Sequence, residues 1–175
     1  MAEYYYLVAS LSYLKFGGKP PIGRNEFIEQ CRKWLRPADM GSLLSAEAGY
    51  QEISPGDIQI MKEWKSFNIG IRKELAEVRK AKKRSEAYKM PENLKRALEQ
   101  ETPLLMEREL ERIRWGFLED KSAGQHFDIN ALILYYLKLQ IQERLAGFDK
   151  DKGEKFFYEF CEVNYEQAIG QNSSH

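Results

Sequence analysis

The chain has 175 residues, of which 43% are hydrophobic and 31% are charged, and it contains only 12 glycines and 6 prolines. Its length suffices for one domain with a real core, and its composition favours a helical protein over an all-β one. Its 27 basic residues balance its 27 acidic residues, which excludes a global electric field that would attract nucleic acid or anionic lipid.

The first apolar stretch, residues 4–14, is predicted to be a helix, although a buried strand would also fit its aromatic and β-branched residues. Its apolar positions repeat at helical spacing, at Tyr4, Leu7, Val8, Leu11 and Leu14. The stretch follows Glu3 without a basic leader or a small-residue cleavage pattern, so it is not a secretion signal. The longest apolar run elsewhere, residues 131–137, is far shorter than the roughly 18 residues that a membrane span needs. We therefore expect a soluble protein.

Glycines and a Pro-Pro pair interrupt regular structure at residues 16–24. Asn25 is predicted to cap a second helix, which Pro37 prevents from continuing through Arg36. The apolar stripe of this helix contains Phe27, Ile28, Cys31, Trp34 and Leu35. A further short helix over residues 42–48 is compatible with the pattern.

The clearest start signal is SPGD at residues 54–57, which combines a serine cap, a proline at the first helical position and an acid in the first turn. It predicts one long helix near residues 55–88. Apolar residues follow at steps of three and four, at Ile60, Trp64, Phe67, Ile71, Leu75 and Val78. Pro91 ends this helix, and a hinge is conceivable at residues 89–93.

Four more helices are predicted in the second half of the chain. A short helix comes first. Thr102 is predicted to cap the second helix, and Asp128 is predicted to cap the third. The first carries Leu94 and Leu98, and the last carries Phe156, Phe157, Phe160 and Val163. Residues 171–175 are predicted to be a disordered tail. The whole pattern predicts an all-α bundle of about five to seven helices, in a single helical domain over residues 1–170.

The helix after Asp128 is apolar on every side over its first half and has a polar flank over its second half. The flank contains Gln140, Glu143 and Arg144. Burying these side chains unpaired would cost several kcal/mol in total, so we expect them to be hydrated or paired. Either the helix end reaches solvent, or the polar flank borders an apolar groove that receives a partner protein.

No arrangement of residues predicts a catalytic, metal or cofactor site. The chain has only two histidines, His126 in a loop and His175 at its end, which disfavours a histidine-based acid–base pair or metal cluster. Glutamates alternate with arginines at residues 107–112, and this pattern predicts a solvated, ion-paired helix surface. Cys31 and Cys161 are expected to be buried thiols.

The strongest charge feature is the basic helix, residues 72–84, in which seven basic residues stand against Glu74 and Glu77. Three interpretations are open: a solvated helix face, a docking site for an acidic protein, and a surface for nucleic-acid phosphates. No aromatic residue interleaves with the basic ones for base stacking, which disfavours the last interpretation.

Three stretches together resemble a bacterial family of unknown function that is encoded beside V-type ATPase subunits. They are EYYYLVASLSYL from Glu3, WKSFNIGIRKELAEVRKAK from Trp64, and ALILYYLKLQIQERLAGFDKDKGEKFF from Ala131. That family is in turn distantly similar to the C subunit of V-type ATPases, which is called the d subunit in eukaryotes. The resemblance implies a noncatalytic, all-helical connector between the central stalk and the membrane ring of proteolipids, supporting ion transport without a cofactor. It also implies a cytoplasmic position, peripheral to the inner membrane and in contact with it only through protein partners.

The resemblance also assigns interface residues on two signature helices. On the first helix they are Trp64, Phe67, Asn68 and Arg72. On the second they are Tyr135, Tyr136, Leu139, Glu143 and Arg144, and the polar flank adds Gln140. Because the chain is much shorter than a typical C subunit, we expect one unit of such a socket, an accessory factor or an oligomer. The alternatives are a helical module that binds nucleic acid or protein through residues 72–84, and an enzyme with a carboxylate site between helices.

Overall fold

The computed structural model describes residues 4–49, 52–125 and 127–148, and these residues form seven helices and no strand. The helices are α1 (Tyr5–Ser10), α2 (Arg24–Arg32), α3 (Pro37–Leu44), α4 (Gln59–Arg84), α5 (Glu92–Leu98), α6 (Pro103–Ser122) and α7 (Ile129–Ala146). The predicted all-α fold is confirmed. The helix predicted at Phe156–Val163 and the tail predicted at 171–175 lie outside the described residues.

Helix α7 is the centre of the fold. Helix α6 packs along it, and α2 and α3 contact it from other sides. Its fully buried apolar residues are Leu132, Ile133, Leu134, Leu137, Leu139 and Ile141. Asp128 caps the helix as predicted, since its Oδ1 accepts a hydrogen bond of 2.9 Å from the amide of Ala131. The first half of α7 carries apolar side chains on every side, and the neighbouring helices cover them.

Helix α4 is the predicted long helix, but its first turn begins at Gln59 and not within SPGD. Asp57 explains the difference, because its Oδ2 accepts from the amide of Ser54 at 2.7 Å and closes a turn. Both carboxylate oxygens of Asp57 also contact Nζ of Lys65, at 2.9 and 2.7 Å. The predicted serine cap at Ser54 is therefore wrong. The helix ends at Arg84, and the following residue, Ser85, takes the left-handed conformation with a φ of 54°.

The N-terminal helices differ in their bounds from the predicted ones. Helix α1 ends at Ser10, and the rest of the predicted first helix is not helical. Gly23 and not Asn25 occupies the N-cap of α2, without a side-chain hydrogen bond. Helix α2 ends at Arg32, so Trp34 and Leu35 of the predicted stripe lie beyond it, and Pro37 starts α3 because its fixed φ suits the first helical position. The short helix therefore lies earlier than residues 42–48.

Helices α4, α5 and α6 form a smaller second core beside the main one. Its buried members are Ile71, Leu94, Ala97 and Leu110. Phe67 borders both cores, and its ring stacks on that of Phe117 at a centroid distance of 4.3 Å. Thr102 caps α6 as predicted, with its Oγ1 accepting from the amide of Leu105 at 3.2 Å. The hinge at residues 89–93 stays a prediction.

Among the described residues, no helix combines the length and the apolar character that crossing a bilayer requires.

Candidate functional site

A surface cleft of about 490 Å³ lies where α4, α5, α6 and the end of α7 meet. We call it the arginine cleft, because four arginines from three helices line it: Arg72, Arg79, Arg114 and Arg144. Its other lining residues include Asn68, Leu75, Leu98, Met106, Glu107 and Leu110. The cleft combines concentrated positive charge with an apolar wall, and such a combination suits the binding of a ligand.

Helix α4 supplies one edge of the cleft through a single stripe of side chains. Asn68, Arg72, Leu75 and Arg79 follow at steps of four, three and four residues, so they share one helix face. Asn68 is buried, and its Nδ2 donates to the backbone oxygen of Trp64 at 3.0 Å. Its Oδ1 accepts from Nε of Arg114 at 3.0 Å. Asn68 therefore fixes the direction of an arginine that belongs to another helix.

A carboxylate beneath the cleft holds two of its arginines. Glu111 is only 1% exposed, and its Oε1 lies 2.9 Å from Nη1 of Arg114 and 3.0 Å from Nη1 of Arg144. Arg144 also pairs with Glu107. The second oxygen of Glu111 has no hydrogen-bond partner among the described residues. Burial raises the pKa of Glu111 above its ordinary value, because the nearby arginines only partly offset the lost hydration.

This raised pKa makes a testable contribution to stability. The folded chain holds the proton of Glu111 more tightly than the unfolded chain does, so stability falls as pH rises from about 4.3 through the folded pKa. The Glu111→Gln variant lacks this titration, and urea unfolding at a series of pH values should give it a flatter stability profile in that window. The matched control is Glu109→Gln, since Glu109 pairs with Arg112 on the surface. Identical profiles for wild type and Glu111→Gln would contradict the assignment.

Of the two aromatic residues of the first signature helix, Trp64 lies in the core and Phe67 lies at its edge. Trp64 is 1% exposed, and its Nε1 donates to the backbone oxygen of Glu47 at 3.0 Å. Phe67 is half-buried against Phe117. Only Asn68 and Arg72 of this predicted set line the arginine cleft.

The predicted residues of the second signature helix divide between two places. The rings of Tyr135 and Tyr136 stack on the ring of Phe27 in α2, with centroid distances of 5.2 and 5.7 Å. Neither tyrosine lines the arginine cleft. Leu139 is fully buried in the main core. Arg144 reaches the cleft. The fold thus brings Asn68 and Arg72 of the first signature helix together with Arg144 of the second. The interface role of every assigned residue stays a prediction.

The polar flank of α7 is paired within the chain, which was one of the two expected outcomes. Gln140 donates to the backbone oxygen of Ala46 and accepts from the amide of Ala48, both at 2.9 Å. Glu143 accepts from the amide of Arg24 at 2.7 Å. The flank therefore anchors the beginning of α2 and the segment after α3 to the central helix.

Sequence reasoning missed Glu111 and Arg114 as members of the site. The alternating run at 107–112 does contain the expected surface pair of Glu109 and Arg112, at 3.1 Å. Glu111, however, is buried, so the prediction of a solvated face is wrong for this residue. Helical spacing carried part of the missing signal: Arg114 lies four residues after Leu110 and three residues after Glu111, so it is a neighbour of both on one side of α6.

The described residues contain no group of three or more His, Cys, Asp or Glu that is placed to hold a metal ion. Cys31 is buried, as predicted, and burial raises the pKa of its thiol to about 12, which keeps it protonated at neutral pH. Cys161 and both histidines lie outside the described residues.

The chain matches the family model described as "Protein of unknown function (DUF2764)" over residues 58–164. This match spans more than half of the chain and includes α4, α5, α6 and α7, which build the arginine cleft. The description names no ATPase subunit and assigns no activity. No curated protein and no solved structure matches the chain significantly. The match over most of the chain shows that this protein is a member of the DUF2764 family, a family of unknown function.

Proposed function

We propose that the chain is a noncatalytic accessory or connector protein in the cytoplasmic sector of a bacterial V-type ATPase or ATP synthase. The observation that carries the proposal is the convergence of two of the stretches that resemble the ATPase-associated family. One stretch supplies Asn68 and Arg72 from α4, and the other supplies Arg144 from α7, to one cleft. Residues far apart in sequence thus line one surface, and this surface is where we propose that a partner docks.

The way in which the helices are tied together supports a connector role. Helix α4 has 26 residues and therefore extends over about 39 Å at about 1.5 Å per residue. Glu63 of α4 pairs with Lys121 of α6 at 2.6 Å, and Glu119 of α6 pairs with Lys138 of α7 at 2.8 Å. Together with the stacked rings between α4 and α6, these cross-links favour a stiff body.

The proposal is tested by copurification. The affinity-tagged full chain is expressed in its native host, recovered from gently solubilised membranes and from cytosol, and its companions are identified by mass spectrometry. We expect enrichment of the proteins of the central stalk and the proteolipid ring relative to an unrelated tagged helical protein. A chain that purifies from both fractions without any stalk or ring protein would refute the proposal.

A second candidate function is nucleic-acid binding by the basic helix. It is favoured by the exposure of Lys82, Lys83 and Arg84 at the end of α4. It predicts oligonucleotide binding that weakens steeply with salt and that is lost when Lys82→Glu and Arg84→Glu are combined. Failure to shift any oligonucleotide at low salt would remove this candidate.

A further inference from the structure

We infer that residues 154–166 of this chain dock as an amphipathic helix into a groove between the start of α6 and the end of α7. The groove has a volume of about 330 Å³, and we call it the leucine groove. Its apolar lining includes Leu104, Leu105, Leu145 and Phe148, and its basic lining includes Lys19 and Arg108. This docking involves the chain alone and does not depend on the proposed connector function.

The leucine groove presents apolar surface that the described residues leave accessible. Leu104 and Leu105 are 46% and 39% exposed, and they stand side by side in the first turn of α6. Leu145, near the end of α7, packs against the main core, so the groove adjoins that core. Removing exposed leucine side chains from water is favourable, and a helix with an apolar stripe can cover them.

The sequence after Phe148 supplies a helix with such a stripe. Phe156, Phe157, Phe160 and Val163, which lie outside the described residues, recur at helical spacing. At about 100° per residue they fall within one arc of about 120° around the predicted helix. The family match continues to residue 164, so this stripe belongs to the same family unit as α6 and α7.

The connection from α7 brings the predicted helix to the leucine groove. Five residues, 149–153, separate residue 154 from Phe148, which itself lines the groove. Two helices that are joined by a loop of two to five residues commonly form an antiparallel hairpin. Helix α6 packs along α7, and its first turn lies at the groove with the end of α7. A helix that turns back after Phe148 therefore meets the exposed leucines of α6.

The charges of the groove and of the segment are complementary. Lys19 and Arg108 are exposed, and neither forms an ion pair with a residue that the structure describes. Glu159, Glu162 and Glu166 share one flank of the predicted helix, beside its apolar stripe. A docked stripe therefore brings acidic side chains to a groove that carries basic ones, which favours this occupant over a basic segment.

The test is crosslinking to the native Cys161, which follows Phe160 in the predicted helix. In the full chain with Leu104→Cys, a short bis-maleimide should join the two thiols within one chain, as identified by mass spectrometry of the linked peptides. The yield should be about tenfold higher than with Leu44→Cys, because docking raises the effective concentration of one thiol near the other. Leu44 is a matched position, since it is 45% exposed and lies on α3. Cys31 is fully buried, and adding Cys161→Ser should abolish the crosslink.

A second variant tests whether the apolar stripe holds the segment in the groove. Phe160→Asp, combined with Leu104→Cys, should lower the crosslink yield about tenfold, because a charge cannot be buried against the leucines without a large cost. The matched control is Tyr158→Asp, on the opposite side of the predicted helix, and its yield should stay within about twofold. Circular dichroism verifies that each variant is helical. If Phe160→Asp does not fold, Phe160→Ala against Tyr158→Ala makes the same comparison.

Several results would overturn the inference. They are a crosslink with Leu104→Cys that is as weak as with Leu44→Cys, an unchanged yield in Phe160→Asp, or an equal loss in Tyr158→Asp. A crosslink that joins two chains and disappears on dilution would also overturn it, because the groove would then hold a second copy of the chain.

Discussion

Replacing Asp57 with asparagine is expected to destabilise the folded chain by about 3–5 kcal/mol at neutral pH, because it leaves a buried ammonium group without its counter-charge. The side chains of Asp57 and Lys65 are only 7% and 6% exposed, and the carboxylate contacts Nζ with both oxygens. The pair joins the turn before α4 to the second turn of that helix. Urea unfolding followed by circular dichroism measures the loss.

Two further variants separate the buried charge from other effects of the substitution. Adding Lys65→Met to Asp57→Asn removes the unpaired ammonium and should recover much of the lost stability, since a buried ion pair can be replaced by apolar groups at little cost. Glu77→Gln breaks the exposed pair with Lys80, and such a pair is worth about 1 kcal/mol or less. A loss for Asp57→Asn as small as that for Glu77→Gln would contradict the prediction.

The effect of Asp57→Asn should depend on pH in a definite direction. Burial by itself raises the pKa of Asp57, but hydrogen bonds from Lys65 and from the amide of Ser54, together with the charge of Lys65, outweigh it. The folded pKa therefore lies below the ordinary value of about 3.9, so the stabilisation is complete above that pH and is lost as pH falls through the folded pKa. The stability gap between wild type and variant should close in acid and stay constant near neutrality.

Asp57 also shows why the sequence predicted the fold only in part. Apolar spacing predicted most of the helices, and the side-chain caps at Thr102 and Asp128 were predicted because a cap acts within three residues along the chain. SPGD carries an equally good local signal. Asp57 of this motif instead pairs with Lys65. Local sequence alone cannot show that a predicted cap competes with a buried ion pair.

The candidate site was less predictable than the fold, because its members meet through tertiary packing. The charge alternation around Glu111 is typical of a surface helix, and burial of this glutamate becomes tolerable because Arg144 from α7 joins Arg114 at its carboxylate. Gln142 is a similar case, since it is 1% exposed and donates to the backbone oxygen of Lys15 at 2.7 Å, 127 residues away in sequence. Asn68 was found through the resemblance alone, whereas Arg72 also belongs to the basic helix and Arg144 to the polar flank that the sequence pattern singled out.

Truncation of Trp64 is the second change with a large expected effect. Trp64→Ala should cost about 3–5 kcal/mol, since it empties the space of a large buried side chain that packs against the stacked rings of Phe67 and Phe117. It also removes the donor to the backbone oxygen of Glu47. Thermal and urea unfolding measure the loss, and an alanine variant as stable as wild type would contradict the assignment of Trp64 to the core.

Trp64→Phe distinguishes packing from contact with a partner. Phenylalanine retains most of the ring volume and loses the indole N–H, so stability should fall by less than in Trp64→Ala, by about 1–3 kcal/mol. If Trp64 acts only through the core, this folded variant copurifies with the same companions as wild type. Arg72→Glu, a change in the lining of the arginine cleft, should show the reverse, with helicity retained and companions lost. Loss of companions from a stably folded Trp64→Phe variant would instead restore Trp64 as an interface residue, and it would require the face of α4 that bears it to open when a partner binds.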